Sequence, residues 1–505
     1  MADVVITGLA ATDPVPGTYL EINFAQGPAS GNESPYEVVI LANKTSAGSG
    51  TVGTEIYGPD SAVPLQTEAQ AIALFGPGSE AHCMWREFTK VNTDSVLRVV
   101  LVAEAGTAAT GTFTVATTAT GVGTIACYVN DEFCEASIAS GDTATTIAVA
   151  ICAAINSKSW LPVTASNVSG AVTLTAKNLG IRGNSFRFQP SIRSVTSIAT
   201  TVSVTVDTAF SSGATADDVT TALATILPSR LYYIVPAQND ATNLGLIKTQ
   251  VMAQAAPTIG IRQRVVAGIC GTSGAAVTVA TTLNCERMEL VHSQDNPIGS
   301  ARLAAKAAAV YSLEELPENP RTNFCFYGND AKSARNWNLP GPRTASTRPS
   351  RTTVKTLLLG GVSPVACNPN GSTYLVNRVT TRSLSGSNAD YRISRAHKVS
   401  ISDWFADDLI AKTVKNYPGA KIADDPRPGA RAPGERVVTP KMYKGAIFRL
   451  LDDYADLGLV QNVDDIKAQV EVARQVGNRA RMGVRIPLQT IDNWEQTAIA
   501  VDQVA

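Results

Sequence analysis

Short apolar runs, each followed by a stretch of helical length, constrain this chain more than any other feature. Residues 37–42, 96–102, 231–236, 264–270 and 288–292 are compact runs of mainly Val, Ile, Leu and Tyr. Unbroken apolar runs of that length suit strands covered on both faces. Helix signals fill the gaps: 68–75, then 79–90 with Ser79 as N-cap, 216–227 capped near Thr215, 241–255, and alanine-rich 298–313. Strands separated by helices predict an open, largely parallel sheet. The expected fold class is α/β, an α+β multidomain chain with an open mixed sheet core and flanking helices.

Between 106 and 206 that rhythm breaks, and Thr, Ala, Ser and Gly dominate. Alternating stretches such as 112–115 and 171–175 read as half-buried strands around one amphipathic helix, 143–156, with Asp142 placed to cap it. Beyond the core, a helix is predicted over 351–359, a strand over 374–382 and a long helix over 392–417. A further helix begins at Thr439 and Pro440, carries Tyr443, Ile447, Leu450, Tyr454 and Leu457 on one stripe, and stops at Gly458. The expected division is an N-terminal arm (1–35), a discontinuous core (36–105 and 207–370), an inserted β-rich domain (106–206), a C-terminal domain (371–489) and a C-terminal arm (490–505).

The C-terminal stretch alternates twice. Ile466, Ala468, Val470 and Val472 interleave with mostly polar residues, as do Ala480, Met482, Val484 and Ile486. With a turn at 475–478 this predicts a β-hairpin. A lone hairpin is marginal in water and presents two unpaired edges. Short strand candidates at the two chain ends hold Val4 and Ile6, and Ile499 and Val501. Arg474, Arg479, Arg481 and Arg485 are expected opposite the hairpin's apolar residues, as a solvated face or one that meets an acidic partner.

The formal net charge of −1 excludes nucleic-acid or membrane binding through a broad basic field. At 17% the charged fraction lies below the usual ~25%, which fits a chain that covers much of itself with partners or a large enzyme with extensive burial. No secretory signal is expected, and the longest apolar run, 147–155, is shorter than the ~18–20 residues of a membrane helix. The eight cysteines show no C-x-x-C pair or zinc-type spacing and read as small buried hydrophobes in a reducing compartment.

Motifs for catalysis are absent: no phosphate-binding G-x-x-x-x-G-K-[ST] loop, no G-x-S-x-G elbow, no H-E-x-x-H pair. Cys270-Gly271-Thr272-Ser273-Gly274 reads as a plain strand-to-helix turn, and His82, His292 and His397 as packing residues. No catalytic residue, cofactor or metal is expected. The alternative is an α/β enzyme, hydrolase-like, with an unrecognised active site.

Several motifs follow one another in a telling order. They are Val15-Pro16-Gly17-Thr18-Tyr19, then Phe75-Gly76-Pro77-Gly78-Ser79 with His82, then Leu161-Pro162-Val163 and Leu174-Thr175-Ala176-Lys177-Asn178-Leu179-Gly180. Arg378-Val379-Thr380-Thr381-Arg382, Lys421-Ile422-Ala423-Asp424-Asp425, Val437-Val438-Thr439-Pro440 and Gly458-Leu459-Val460 complete the series. This succession resembles the sheath proteins of contractile phage tails, in their Mu-like branch. Arg382, where the family often has an aromatic, and the long Pro/Arg-rich connector 423–437 depart from it.

The resemblance implies a structural, non-enzymatic virion protein. Its copies would stack as hexameric rings around a tail tube, in a helical homo-oligomer, and contract to drive the tube through the host envelope for genome ejection. Implied partners are other copies, the tail tube protein, and baseplate and tail terminator proteins, with no direct nucleic acid and no membrane insertion. Assembly would take place in the host cytoplasm. The family's arms each add a strand to a two-stranded acceptor in neighbouring subunits. Here that makes Val4, Ile6, Ile499 and Val501 the intersubunit donors and Val470, Val472, Val484 and Ile486 the acceptor hairpin. Arg474, Arg479, Arg481 and Arg485 become candidate tube-facing residues against an acidic tube.

Overall fold

The computed structural model describes residues 37–194, 202–227, 229–316, 319–320, 339–342, 345–368, 373–427, 434 and 436–492. An eight-stranded sheet runs in the order Thr373–Leu375, Ser363–Cys367, Met288–His292, Arg264–Ile269, Tyr233–Pro236, Glu37–Asn43, Val96–Val102, Ile56–Tyr57. The central strands are all parallel; only the edge strands reverse. The fold is α/β and multidomain. Alternation along Glu37–Asn43 fills both faces of the sheet. Val38 and Ile40 enter one core with Trp85, Phe88 and the alanines of the Ser300–Glu314 helix. Val39 and Leu41 enter the other with Leu223, Ile247 and Leu283. The Ser300–Glu314 helix lies so close to the sheet that a Cβ on Gly268 would sit 2.1 Å from the Ser300 carbonyl oxygen.

Local chemistry explains most helix starts. Ser79 accepts from the His82 amide, Asp240 from Asn243 and Thr439 from Met442. Two expected starts move. Thr143, not Asp142, caps the Ala144–Asn156 helix, because the Asp142 carboxylate accepts instead from the Ala139 amide at 2.7 Å. The helix expected from 216 is confined to Thr220–Ile226, since Asp217 is drawn into a buried ion pair with Arg182. The strand expected over 374–382 shortens to Thr373–Leu375, and a Ser273–Leu283 helix capped by Thr272 follows the Cys270–Gly274 turn.

The Thr-rich stretch has a core of its own, holding Phe113, Ile125, Ile151, Val172 and Leu174. A four-stranded sheet (Ser203–Ser211, Ala108–Ala116, Ala171–Leu179, Val163–Val168) and a three-stranded one (Glu132–Ile138, Gly123–Val129, Phe188–Ser194) surround it. Its last strand runs past residue 206, and a Thr107–Ala214 bridge closes the base. A fourth core joins helices Ala396–Asn416 and Pro440–Asp456 through Phe405, Ile447, Leu450 and Tyr454.

Candidate assembly hairpin and the sheet crevice

The C-terminal hairpin is shorter than its alternation suggests. Residues 463–469, Val463–Gln469, form a helix, and the strands are Glu471–Arg474 and Met482–Arg485. Ile466 and Val470 are four apart, so a helix turn buries both, at 1% and 2% exposure, and leaves Ala468 outside. Four cross-strand pairs remain: Glu471 with Arg485, Val472 with Val484, Ala473 with Gly483, and Arg474 with Met482. Val470 lies at the helix end and half-buried Ile486 just beyond the second strand. Among the described residues the pair forms a sheet of two strands only. Val4, Ile6, Ile499 and Val501 lie outside the described residues.

The four arginines do not make one uncommitted face. Arg474 shares its ladder face with Val472 and Val484 rather than opposing them. Both Arg474 and Arg479 reach Asp424 of the connector, at 3.4 and 2.6 Å. Arg485 stands across from Glu471. Arg481 belongs to the turn, where its carbonyl accepts from the Gln475 amide and its own amide donates to Asn478. Residues 459–461 pair back with 489–491, so the chain from Thr490 to Ile491 is bound to its own subunit.

In open α/β sheets, ligands bind where strand order reverses, beyond the strands' carboxyl ends. Here that point lies beside Glu37–Asn43, between Val96–Val102 and Tyr233–Pro236. The insert lines it with its own side chains and leaves a cavity of about 130 Å³ beside Arg182, Asn178, Ala237 and Asn239. Arg182 donates to Glu80 at 2.9 Å, to Asn43 at 2.7 Å and to the wholly buried Asp217 carboxylate. Asn178 donates to the Lys44 carbonyl and to Glu104, and accepts from the Glu80 amide. Burial works against the Arg182 charge, but Glu80 and Asp217 outweigh it and raise its pKa.

A second buried network sits at the strands' starting ends. Glu289 accepts from Arg264 and, at 2.7 and 2.9 Å, from Arg378. Arg287 forms a fork with Asp403 at 2.8 Å, and Arg262 donates to Asp407 at 2.9 Å. These pairs bind the Ala396–Asn416 helix to the core. Sequence reasoning missed both networks, because the partners lie up to 145 residues apart.

The histidines pack. His82 Nδ1 accepts from the Gly78 amide, and His292 Nε2 lies 2.9 Å from the Gly271 carbonyl. Burial lowers the pKa of both, and takes His397 down to about 3. Among the described residues no group of His, Cys, Asp and Glu is arranged to hold a metal, and no helix is long and apolar enough to cross a membrane.

Over 482 residues the chain is 25% identical to the Mu-like prophage FluMu tail sheath protein of Haemophilus influenzae, covering 93% of each. The chain is thus similar along nearly its whole length to a Mu-like tail sheath protein. No family model matches it. Solved structures similar to this chain include the sheath tail protein of Desulfitobacterium hafniense, at 12% identity and TM-score 0.45 over 94% of this chain and 100% of that one. The sheath tail protein of Listeria innocua matches at 13% and 0.46 over 93% and 95%. The contracted helical sheath of the anti-feeding prophage matches at 10% and 0.44 over 97% and 100%.

Proposed function

We propose that this protein is the structural subunit of a contractile tail sheath. Its copies stack as hexameric rings around a tail tube, and the stack shortens to drive the tube through the host envelope for genome delivery. The observation that carries this reading is the similarity to a tail sheath protein along 93% of the chain. In this reading the protein is a virion component assembled in the host cytoplasm, and it meets the tube, a baseplate and a tail terminator as well as its own copies.

The hairpin of Glu471–Arg474 and Met482–Arg485 is the acceptor. Strands holding Val4 and Ile6, and Ile499 and Val501, are donated by neighbouring copies and extend it on both edges. A few ladder bonds at ~0.5–1.5 kcal/mol each make a weak single link. Repeating such links through every subunit makes a strong lattice, and head-to-tail donation does not close on itself. The tube-facing role of Arg474, Arg479, Arg481 and Arg485 requires an acidic tube surface to compete with Asp424 for two of them. In this reading the role is structural and not catalytic.

Electron microscopy of the purified protein tests the reading. Full-length protein is expected to form tubes or stacked rings, while chains lacking 1–12 or 493–505 stay folded and dispersed. The second cut spares the 489–491 segment that pairs within the subunit. Unchanged polymers after both deletions overturn strand donation; dispersed full-length protein under all polymerising conditions overturns the sheath role.

A further inference from the structure

Cys127 and Cys134 stand directly opposite each other in the antiparallel hairpin of Gly123–Val129 and Glu132–Ile138. The turn between these strands is only Asn130 and Asp131, with Asn130 at φ 52°. Both cysteines belong to the insert's apolar core, at 0% and 2% exposure, and neither is in a disulfide. Opposed residues in an antiparallel ladder have Cα atoms about 4.5–5.5 Å apart and Cβ atoms at about the same spacing. A disulfide spans Cα separations of about 4.4–6.8 Å, with Cβ atoms about 3.5–4.5 Å apart. The ladder register therefore holds this pair within bridging reach, and closure asks only for a small approach of the side chains. Among the described residues no other two cysteines face each other across a ladder.

We propose that Cys127 and Cys134 form a redox modification site, which closes to a cross-strand disulfide when the protein meets a small oxidising disulfide such as oxidised glutathione. One cysteine thiolate attacks a sulfur of the glutathione disulfide, making a mixed disulfide and releasing one glutathione thiolate. The second cysteine thiolate then attacks the protein sulfur of that mixed disulfide and releases the other. The two cysteines are oxidised, one glutathione disulfide is reduced to two thiols, and the two cysteine protons pass to the departing thiolates. Glu132–Ile138 is an outer strand of its three-stranded sheet, so local opening exposes Cys134 first. Burial raises the Cys134 thiol pKa, which ties the first attack to that opening. In a reducing medium the pair stays as thiols; in an oxidising one it staples the outer strand to its neighbour.

The test uses the full chain, equilibrated in mixtures of oxidised and reduced glutathione, then alkylated and cleaved at acidic residues. Asp131 and Glu132 lie between the two cysteines, so cleavage there leaves a bridged pair as two linked peptides. The expected result is loss of two of the eight thiols, a Cys127–Cys134 linked peptide, and slower amide exchange across 123–138 that reverses on reduction. Cys134→Ala should stop at a single glutathione adduct on Cys127, and Cys127→Ala at one on Cys134. Wild-type protein in which both positions stay reduced or carry only glutathione, or in which either links to another cysteine, overturns the proposal; this readout needs no variant to fold.

Discussion

At the scale of single residues, the buried ion pairs carry the sharpest consequences. Replacing Arg182 by Met leaves the Glu80 and Asp217 carboxylates and the Asn43 amide without their shared donor. Breaking one side of a buried pair costs roughly 3–5 kcal/mol, so denaturant unfolding of Arg182→Met should show a loss of that order. The pH dependence has two windows. Burial holds His397 at about 3 against an ordinary 6.5, so between those values the unfolded chain binds a proton that the folded chain refuses. Stability therefore falls as pH drops from 6.5 towards 3, by at most about 1.4 kcal/mol per unit from this group, and His397→Gln should flatten that slope. Burial alone would raise the Glu87 carboxyl, but Arg302 and Lys306 overrule it and hold it at about 2. Its contribution is present above its ordinary 4.5 and is lost as pH falls to 2, and Glu87→Gln should remove that second window from an acid-unfolding curve.

At the scale of elements, legibility follows how local the causes are. Glu37–Asn43 and Met288–His292 are readable as strands because both faces are buried and the whole run must be apolar. The Pro440–Asp456 helix is readable because Thr439 accepts from the Met442 amide and proline occupies the first turn. Thr439→Ala should cost about 1 kcal/mol, seen as a lower midpoint in chemical unfolding. Ile466 to Val472 misleads, because apolar residues at 466, 468, 470 and 472 satisfy alternation while 466 and 470 also satisfy a helical turn. Packing of Ile466 and Val470 against Leu450 and Tyr454 selects the helix. The arginines of the hairpin illustrate the same limit. Their number is plain in the sequence, but the ladder register puts Arg474 beside Val472, and Asp424 engages two of them. Asp424→Asn should change stability by no more than about 1 kcal/mol, since such exposed pairs are weak, while loosening the hairpin tip in amide exchange.

At the scale of the whole molecule, the sheet is held at both ends by charge. Arg182 and Asn178 bind the insert at the carboxyl ends of the strands. Arg287, Arg262, Asp403 and Asp407 bind the Ala396–Asn416 helix at their starting ends. Arg287→Met should therefore uncouple the C-terminal unit, splitting one unfolding transition into two in calorimetry, with a loss of roughly 3–5 kcal/mol. Arms added or removed at the chain ends are expected to leave this frame intact, so assembly and folding separate in the truncation experiment.

By itself the sequence determined the βα rhythm, the Thr-rich interruption, most of the helix starts and the likeness to tail sheath proteins. Each of these is written in neighbouring residues or in the order of short motifs. Only the tertiary structure decided where the hairpin's strands begin, which face each arginine takes, and how the insert lines the crevice beside Glu37–Asn43. Those outcomes depend on charges and registers contributed by distant segments, such as Arg182 with Glu80, 102 residues apart. Periodicity carries no information about such pairs until the chain has folded.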